Sequence, residues 1–207
     1  MNIEKEVRFR VDKNNIKKII SISQPYKEKV STLDITFGYN GFDSLSKYGF
    51  ICRIRQKPNK STLEVKKKID GGWLEQEIKL EQLSDGINYF NLVGMKPYMY
   101  LQRDREVRRY GDLKIFIDEI DVVGDFVEIE YQDTSDSENM VKNFLKEAGL
   151  NGSSPQMLYG DIIKESLASD KEFEKKYNEG LNRVIDKYLN SQYKNILLYY
   201  WYILCYN

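Results

Sequence analysis

The sequence predicts an α+β fold built on a largely antiparallel sheet. Three observations carry this expectation. Eight stretches have strand character, most of them alternating apolar and charged residues with period two. Turn residues such as Gly71-Gly72, Gly111 and Gly124 separate several of them at hairpin distance. Helical periodicity is concentrated near the beginning and the end of the chain, with no internal repeat. Closing such a sheet into a barrel-like tunnel would remove its exposed edges.

Residues 2–11 read as the first strand. Asp12 is placed to cap a short helix whose apolar face is Ile16, Ile19 and Ile20. Residues 29–39 read as a strand rich in β-branched and aromatic types, and Tyr39–Gly49, rich in Gly, Asp and Ser, as a loop. Residues 50–56 form a strand ended by Pro58; 61–69 and 73–80 form a hairpin. The stretch 84–95 accommodates one helical turn or two. Residues 98–109, 113–121 and 125–131 complete the strands. Ser135 and Glu138 fit a capping box ahead of Met140, Val141, Phe144 and Leu145, with Gly149 as the stop. Pro155 is placed to open a helix running to about Leu167.

After Ser169 the character changes, which divides the chain into a domain at 1–168 and a helical extension at 169–207. Phe173, Tyr177, Leu181, Val184 and Tyr188 keep helical spacing, with Gly180 as a weak point. Ile196–Tyr206 is almost wholly apolar or aromatic. A membrane span needs about 20 apolar residues, so this tail is too short to cross and is expected to pack against the domain or a partner in preference to a membrane interface.

Composition narrows the chemistry. Apolar residues make up 41% and charged residues 31%, enough to bury a core. Thirty-two basic residues balance 32 acidic ones, which argues against a general nucleic-acid binder but permits a local basic channel. There is no histidine, so imidazole catalysis, His-ligated zinc and Ser-His or Cys-His nucleophiles are excluded. The two cysteines, Cys52 and Cys205, form no CxxC. The charged start lacks a secretory signal, so a cytoplasmic location is expected.

Side chains alternate across a strand, so each charged residue can be given a face. Glu4, Glu6, Arg8 and Arg10 share one face of the first strand. Arg53 and Arg55 share a face, as do Glu64, Lys66 and Lys68; Glu75, Glu77 and Lys79; Arg103 and Arg105; and Glu128 and Glu130. For any single strand, a solvated sheet face explains the pattern. Together the faces segregate into acidic pairs at the two ends of the region and basic residues between. Two glutamates on one strand face are roughly 7 Å apart and repel by about 2 kcal/mol at an effective dielectric near 20. A hard divalent cation removes that conflict, and arginine forks suit phosphate oxygens.

Glu4-Lys5-Glu6-Val7-Arg8 resembles the ExExK signature of the CYTH superfamily, the triphosphate tunnel metalloenzymes, with arginine in place of the usual last lysine. The resemblance continues through Asp34-Ile35-Thr36-Phe37, Ile51–Arg55, Leu63–Lys66, the basic run Arg103–Arg109, Ile117–Asp121, Gly124–Glu130 and Tyr159, covering about residues 1–165. It implies an eight-stranded antiparallel barrel-like tunnel flanked by helices that binds triphosphates with Mg²⁺ or Mn²⁺. Carried over residue by residue, Glu4, Glu6, Glu128 and Glu130 would form the catalytic metal-binding side, with Asp118 a further acidic group near the metal. Arg8, Arg53, Arg55, Lys66, Arg103 and Arg105 would grip phosphate. The assignment within Arg103, Arg105 and Arg108 could slip by one alternation, and Arg10, Glu64, Glu75, Glu77 and Lys79 are further candidate lining residues. The implied activity is a metal-dependent triphosphatase acting on tripolyphosphate, a nucleoside triphosphate or thiamine triphosphate. A class IV adenylyl cyclase, an RNA 5′-triphosphatase and a non-catalytic triphosphate-binding module are the alternatives. The expected partner is thus a small-molecule triphosphate; substrate identity, preferred metal and oligomeric state stay open.

Overall fold

The computed structural model describes residues 4–69, 72–132, 134–150 and 158–206, with side chains described for 5–69, 74–132, 134–150 and 158–188. Expectations resting on Gly71, on Pro155, on the side chain of Glu4 and on the side chains of the aromatic tail lie outside the described residues. The chain forms two compact units, residues 1–33 with 101–163 and residues 34–100 with 164–207.

The first unit contains β1 (Glu4–Arg10), α1 (Lys13–Ile22), the start of β2 (Gln24–Gly38), most of β6 (Lys96–Tyr110), β7 (Leu113–Ile120), β8 (Gly124–Gln132), α4 (Ser135–Glu147) and the start of α5 (Tyr159–Ser169). The second contains the end of β2, a 3₁₀ turn (Gly41–Asp43), α2 (Ser44–Tyr48), β3 (Phe50–Lys57), β4 (Lys60–Ile69), β5 (Gly72–Leu80), α3 (Leu83–Leu92), the start of β6 and α6 (Lys171–Tyr206). In the first unit β8 lies between β1 and β7, and β6 pairs with β7; in the second β4 lies between β3 and β5, all antiparallel. The eight expected strands are therefore present, in an antiparallel α+β arrangement.

Local chemistry explains the elements. Asp12 accepts from the backbone N–H groups of Asn14 and Asn15 at 2.8 Å each, and the Asn15 side chain accepts from Asp12 N–H, which closes a capping box at the start of α1. α4 departs from expectation by one residue: Thr134, not Ser135, is the cap, accepting from Ser137 N–H at 3.2 Å. β2 begins at Gln24, five residues earlier than expected. Residues 24–29 are all exposed, so no buried face imposes an alternation to read. The expected loop at Tyr39–Gly49 instead carries the 3₁₀ turn and α2; Ser44 Oγ accepts from Asn40 N–H, and Gly49 ends the helix at φ 71°, where glycine is favoured.

In the first unit α1 and α4 cover one sheet face. Phe9, Ile19, Ile115, Val127, Ile129 and Phe144 are almost fully buried there. The charged residues on the alternate positions of β1, β7 and β8 consequently point to the other face. In the second unit Phe37 meets Phe90 at 4.9 Å between ring centroids. The Tyr177 hydroxyl accepts from Tyr100 N–H and donates to Tyr100 C=O, at 3.0 and 2.7 Å.

α6 runs without interruption through Gly180, where the close approach of Tyr100 leaves room only for glycine: a Cβ at Gly180 would lie 2.0 Å from the Tyr100 hydroxyl oxygen. Tyr100 is itself 1% exposed and packed on Tyr177, so it has little room to yield. Gly→Ala in an exposed helix interior is ordinarily favourable by up to about 1 kcal/mol. Gly180→Ala is expected to do the reverse here and cost about 1–3 kcal/mol through overpacking, read as a lowered midpoint in urea.

Candidate active site

Register builds the site of the first unit. On β1 and β8, Glu6 stands opposite Glu130 and Arg8 opposite Glu128. On β7, Lys114 stands opposite Glu130 and Phe116 opposite Glu128. Two glutamates in direct cross-strand register repel, so the arrangement requires cations. Arg8 supplies one: its Nη2 lies 2.6 Å and its Nε 3.2 Å from the same Glu128 oxygen, and it also pairs with Glu6. Lys114 Nζ lies 3.3 Å from Glu130, and Arg105 Nη2 3.3 Å from the second Glu128 oxygen. One carboxylate oxygen each from Glu6, Glu128 and Glu130 falls within 4.8 Å of the others. Hard anionic oxygens of this type are the donors Mg²⁺ and Mn²⁺ take.

A second carboxylate organises the arginines. Asp118, fully buried, lies opposite Arg105 on β6 and receives its Nε and Nη2 in a two-pronged pair at 2.6 Å each. Arg103 Nη1 lies 3.5 Å from the same carboxylate, and the Tyr159 hydroxyl donates to it at 3.0 Å. Arg105 also stacks on Phe116, 4.4 Å from the ring centroid, and Arg8 on Tyr159 at 4.0 Å. None of the polar contacts of Arg105 among the described residues uses its Nη1.

These environments set opposite titration behaviour. Burial, then the neighbouring Glu128 charge, raises Glu6 above the ordinary carboxylate range, with Arg8 opposing. Burial also disfavours the Asp118 charge, but the Arg105 hydrogen bonds and the Arg103 charge overcome it and hold the group low. Burial, then Asp118, pushes the Tyr159 hydroxyl far up, so it stays a donor.

The second unit holds a parallel arrangement. Asp34, 1% exposed, receives Arg55 Nε and Nη2 at 2.6 and 2.7 Å. Glu64 accepts from Arg53 Nε at 2.6 Å and from Thr62 at 3.1 Å; Arg55 Nη1 lies 3.5 Å away. Despite burial, the Arg53 and Arg55 charges hold Glu64 low. Lys66 pairs with Glu75 and Lys60 with Glu77, while Lys79 stands opposite Thr62 on β4.

A stability prediction follows from Asp118 and Glu64. Both titrate lower folded than unfolded, so their contribution is full above the ordinary carboxylate range near about pH 4 and is lost as pH falls through the depressed folded values. Glu6 has the reverse sign: its contribution is full below that range and is lost as pH rises through its raised value. Thermal melting between pH 6 and 2 is expected to fall on acidification, and Asp118→Asn to flatten that fall; an unchanged slope in the variant contradicts it.

Comparison with known proteins identifies the family. The CYTH domain model matches residues 2–156. This chain belongs to the CYTH family. A conserved hypothetical protein from Pyrococcus furiosus superposes with a TM-score of 0.61 at 18% identity, covering 77% of this chain and 99% of that one. A candidate adenylate cyclase from Vibrio parahaemolyticus gives 0.60 at 15% identity, over 78% and 98%. A candidate adenylyl cyclase from Hippeastrum with a dominant triphosphatase activity gives 0.53 at 17% identity, over 74% and 92%. These likenesses show a shared fold. No curated protein matches the chain.

Within the CYTH frame, the structure gathers Glu6, Arg8, Arg103, Arg105, Asp118, Glu128 and Glu130 in one unit and Arg53, Arg55 and Lys66 in the other. Asp118 lies outside the three-carboxylate cluster and is engaged by Arg105, Arg103 and Tyr159. Arg10 donates to the Val123 carbonyl and stacks on Phe126. Arg108 is anchored elsewhere: it donates to Ser23 Oγ and to the carbonyls of Ile20 and Ser23, closing the end of α1. That separates it from Arg103 and Arg105. Tyr159, Lys114 and Asp34 carry contacts that the charge pattern did not assign. Asp34 and Tyr159 stood in the stretches that resemble the family, and Lys114 shares the face of Phe116 and Asp118 by strand parity. Among the described residues no helix is long and apolar enough to cross a membrane.

Proposed function

We propose that this chain is a metal-dependent triphosphate phosphohydrolase, acting on tripolyphosphate or an organic triphosphate such as a nucleoside or thiamine triphosphate. The observation that carries the reading is the three-carboxylate cluster of Glu6, Glu128 and Glu130, flanked by Arg8 and Arg105. Simple anion binding would not call for such a cluster. A divalent cation held there, Mg²⁺ or Mn²⁺, would supply Lewis-acid polarisation of a phosphoryl oxygen.

The rest of the chemistry falls to side chains of the chain itself. Arg105, fixed by Asp118, presents Nη1 to a phosphate oxygen and holds it in ground and transition state alike. Arg8 does the same from β1, and Arg103 supports Arg105 through the shared Asp118. Arg53, Arg55 and Lys66 are assigned to phosphate oxygens by the family correspondence, as is Glu4 to the metal side. With no histidine in the sequence there is no Ser-His or Cys-His pair, and the reading takes water as the nucleophile.

The second reading, an adenylyl cyclase, uses the same charges with a ribose hydroxyl as nucleophile, and the fold shared with the Vibrio parahaemolyticus protein keeps it in view. The Hippeastrum protein, with its dominant triphosphatase activity, shares that fold too, so the fold does not choose between the two. Incubation with tripolyphosphate, ATP and thiamine triphosphate, with Mg²⁺ or Mn²⁺ or with EDTA, separates them by chromatography of products. Orthophosphate released only with metal is expected. Cyclic AMP with pyrophosphate would establish the cyclase, and tight binding without turnover a binding module.

A further inference from the structure

We infer that Tyr159 is a positioning residue for the phosphate-gripping arginines of the first unit. The inference rests on the triphosphate reading above and extends it to a residue with no charge of its own.

The geometry joins two arms at one ring. The Tyr159 hydroxyl donates to Asp118 Oδ2 at 3.0 Å, and that same oxygen receives Arg105 Nη2 at 2.6 Å. Asp118 Oδ1 receives Arg105 Nε at 2.6 Å. Three contacts therefore fix the carboxylate's plane, and the carboxylate fixes the guanidinium's plane. Beneath Arg8, the Tyr159 ring lies 4.0 Å from the guanidinium carbon. Phe126, fully buried, holds the tyrosine ring edge-on at 5.2 Å. One side chain at the start of α5 thus orients Arg105 through its hydroxyl and Arg8 through its face.

The two roles separate by substitution. Tyr159→Phe keeps the ring under Arg8 and deletes the hydroxyl; Tyr159→Leu removes both. If the hydroxyl positions Arg105, its loss weakens a contact made in ground and transition state alike, which raises KM and leaves kcat nearly unchanged. A merely structural role would lower the melting temperature without that split.

The test uses inorganic tripolyphosphate with the full chain. Calorimetry gives affinity, Mn²⁺-supported turnover gives kcat and KM, and circular dichroism gives melting. Tyr159→Phe is expected to weaken tripolyphosphate binding about tenfold, the worth of one charge-assisted hydrogen bond, with kcat within about twofold of the parent. Tyr159→Leu is expected to lose several-fold more. Should either variant fail to fold, Asp118→Asn tests the same link and is expected to raise KM in the same way. Wild-type binding with unchanged affinity and KM in Tyr159→Phe overturns the inference alone. Losses in both tyrosine variants that only track melting also overturn it. A wild-type chain that binds no tripolyphosphate overturns the functional reading, and the inference with it.

Discussion

Glu130→Gln is expected to lower metal-supported triphosphate hydrolysis by more than about a hundredfold while the fold survives. Substitutions one shell further out from a metal typically cost 10–100-fold, so removal of a charged ligand sets that range as a floor. Glu130 is the cleanest of the three carboxylates to change. Its side chain is 25% exposed, and it pairs with half-exposed Lys114 at 3.3 Å. Glu128 by contrast is deeply buried between Arg8 and Arg105, where removal would also strand two guanidinium groups. Glutamine preserves the shape and one acceptor oxygen, so melting should change little. Normal turnover in Glu130→Gln would mean the cluster is not the metal site.

Arg105→Ala is expected to have the largest combined effect, on affinity and on stability. It removes both prongs from Asp118, which has no exposed surface at all. Stranding a buried charge costs about 3–5 kcal/mol, and the remaining contacts to Tyr159 and Arg103 place the expected loss toward the lower end. Triphosphate affinity should fall with it. The two effects come apart in a double variant. Adding Asp118→Asn to Arg105→Ala neutralises the stranded carboxylate and should restore part of the stability, yet none of the affinity. Restored affinity in the double variant would show that Arg105 does not touch the ligand.

Much of this architecture was legible in the residues. Alternation placed Glu6 with Arg8 and Glu128 with Glu130 because one face of those strands is buried under α1 and α4, which forbids a one-residue slip. Asp12 announced α1 because an N-cap acts over only three residues. Where no buried face existed, as over residues 24–29, the strand had no signal to read. Partnerships were harder still. Parity shows that Arg103 and Arg105 share a face, but pairing across strands depends on register that hairpin lengths alone do not reveal. The resemblance put Asp118 among the acids near the metal without naming its partner, and the register sets it opposite Arg105. Tyr159 stood in the stretches that resemble the family, but its role was not legible there, because its hydroxyl finds Asp118 only through the tertiary fold.

The most direct test of the central claim is Mn²⁺ binding, measured by electron paramagnetic resonance on the full chain without substrate. Glu6, Glu128 and Glu130 are expected to quench the free-ion signal as Mn²⁺ binds, and the combined Glu6→Gln and Glu130→Gln variant to leave that signal intact. A variant that binds Mn²⁺ as tightly as the parent would place the metal elsewhere and contradict the account.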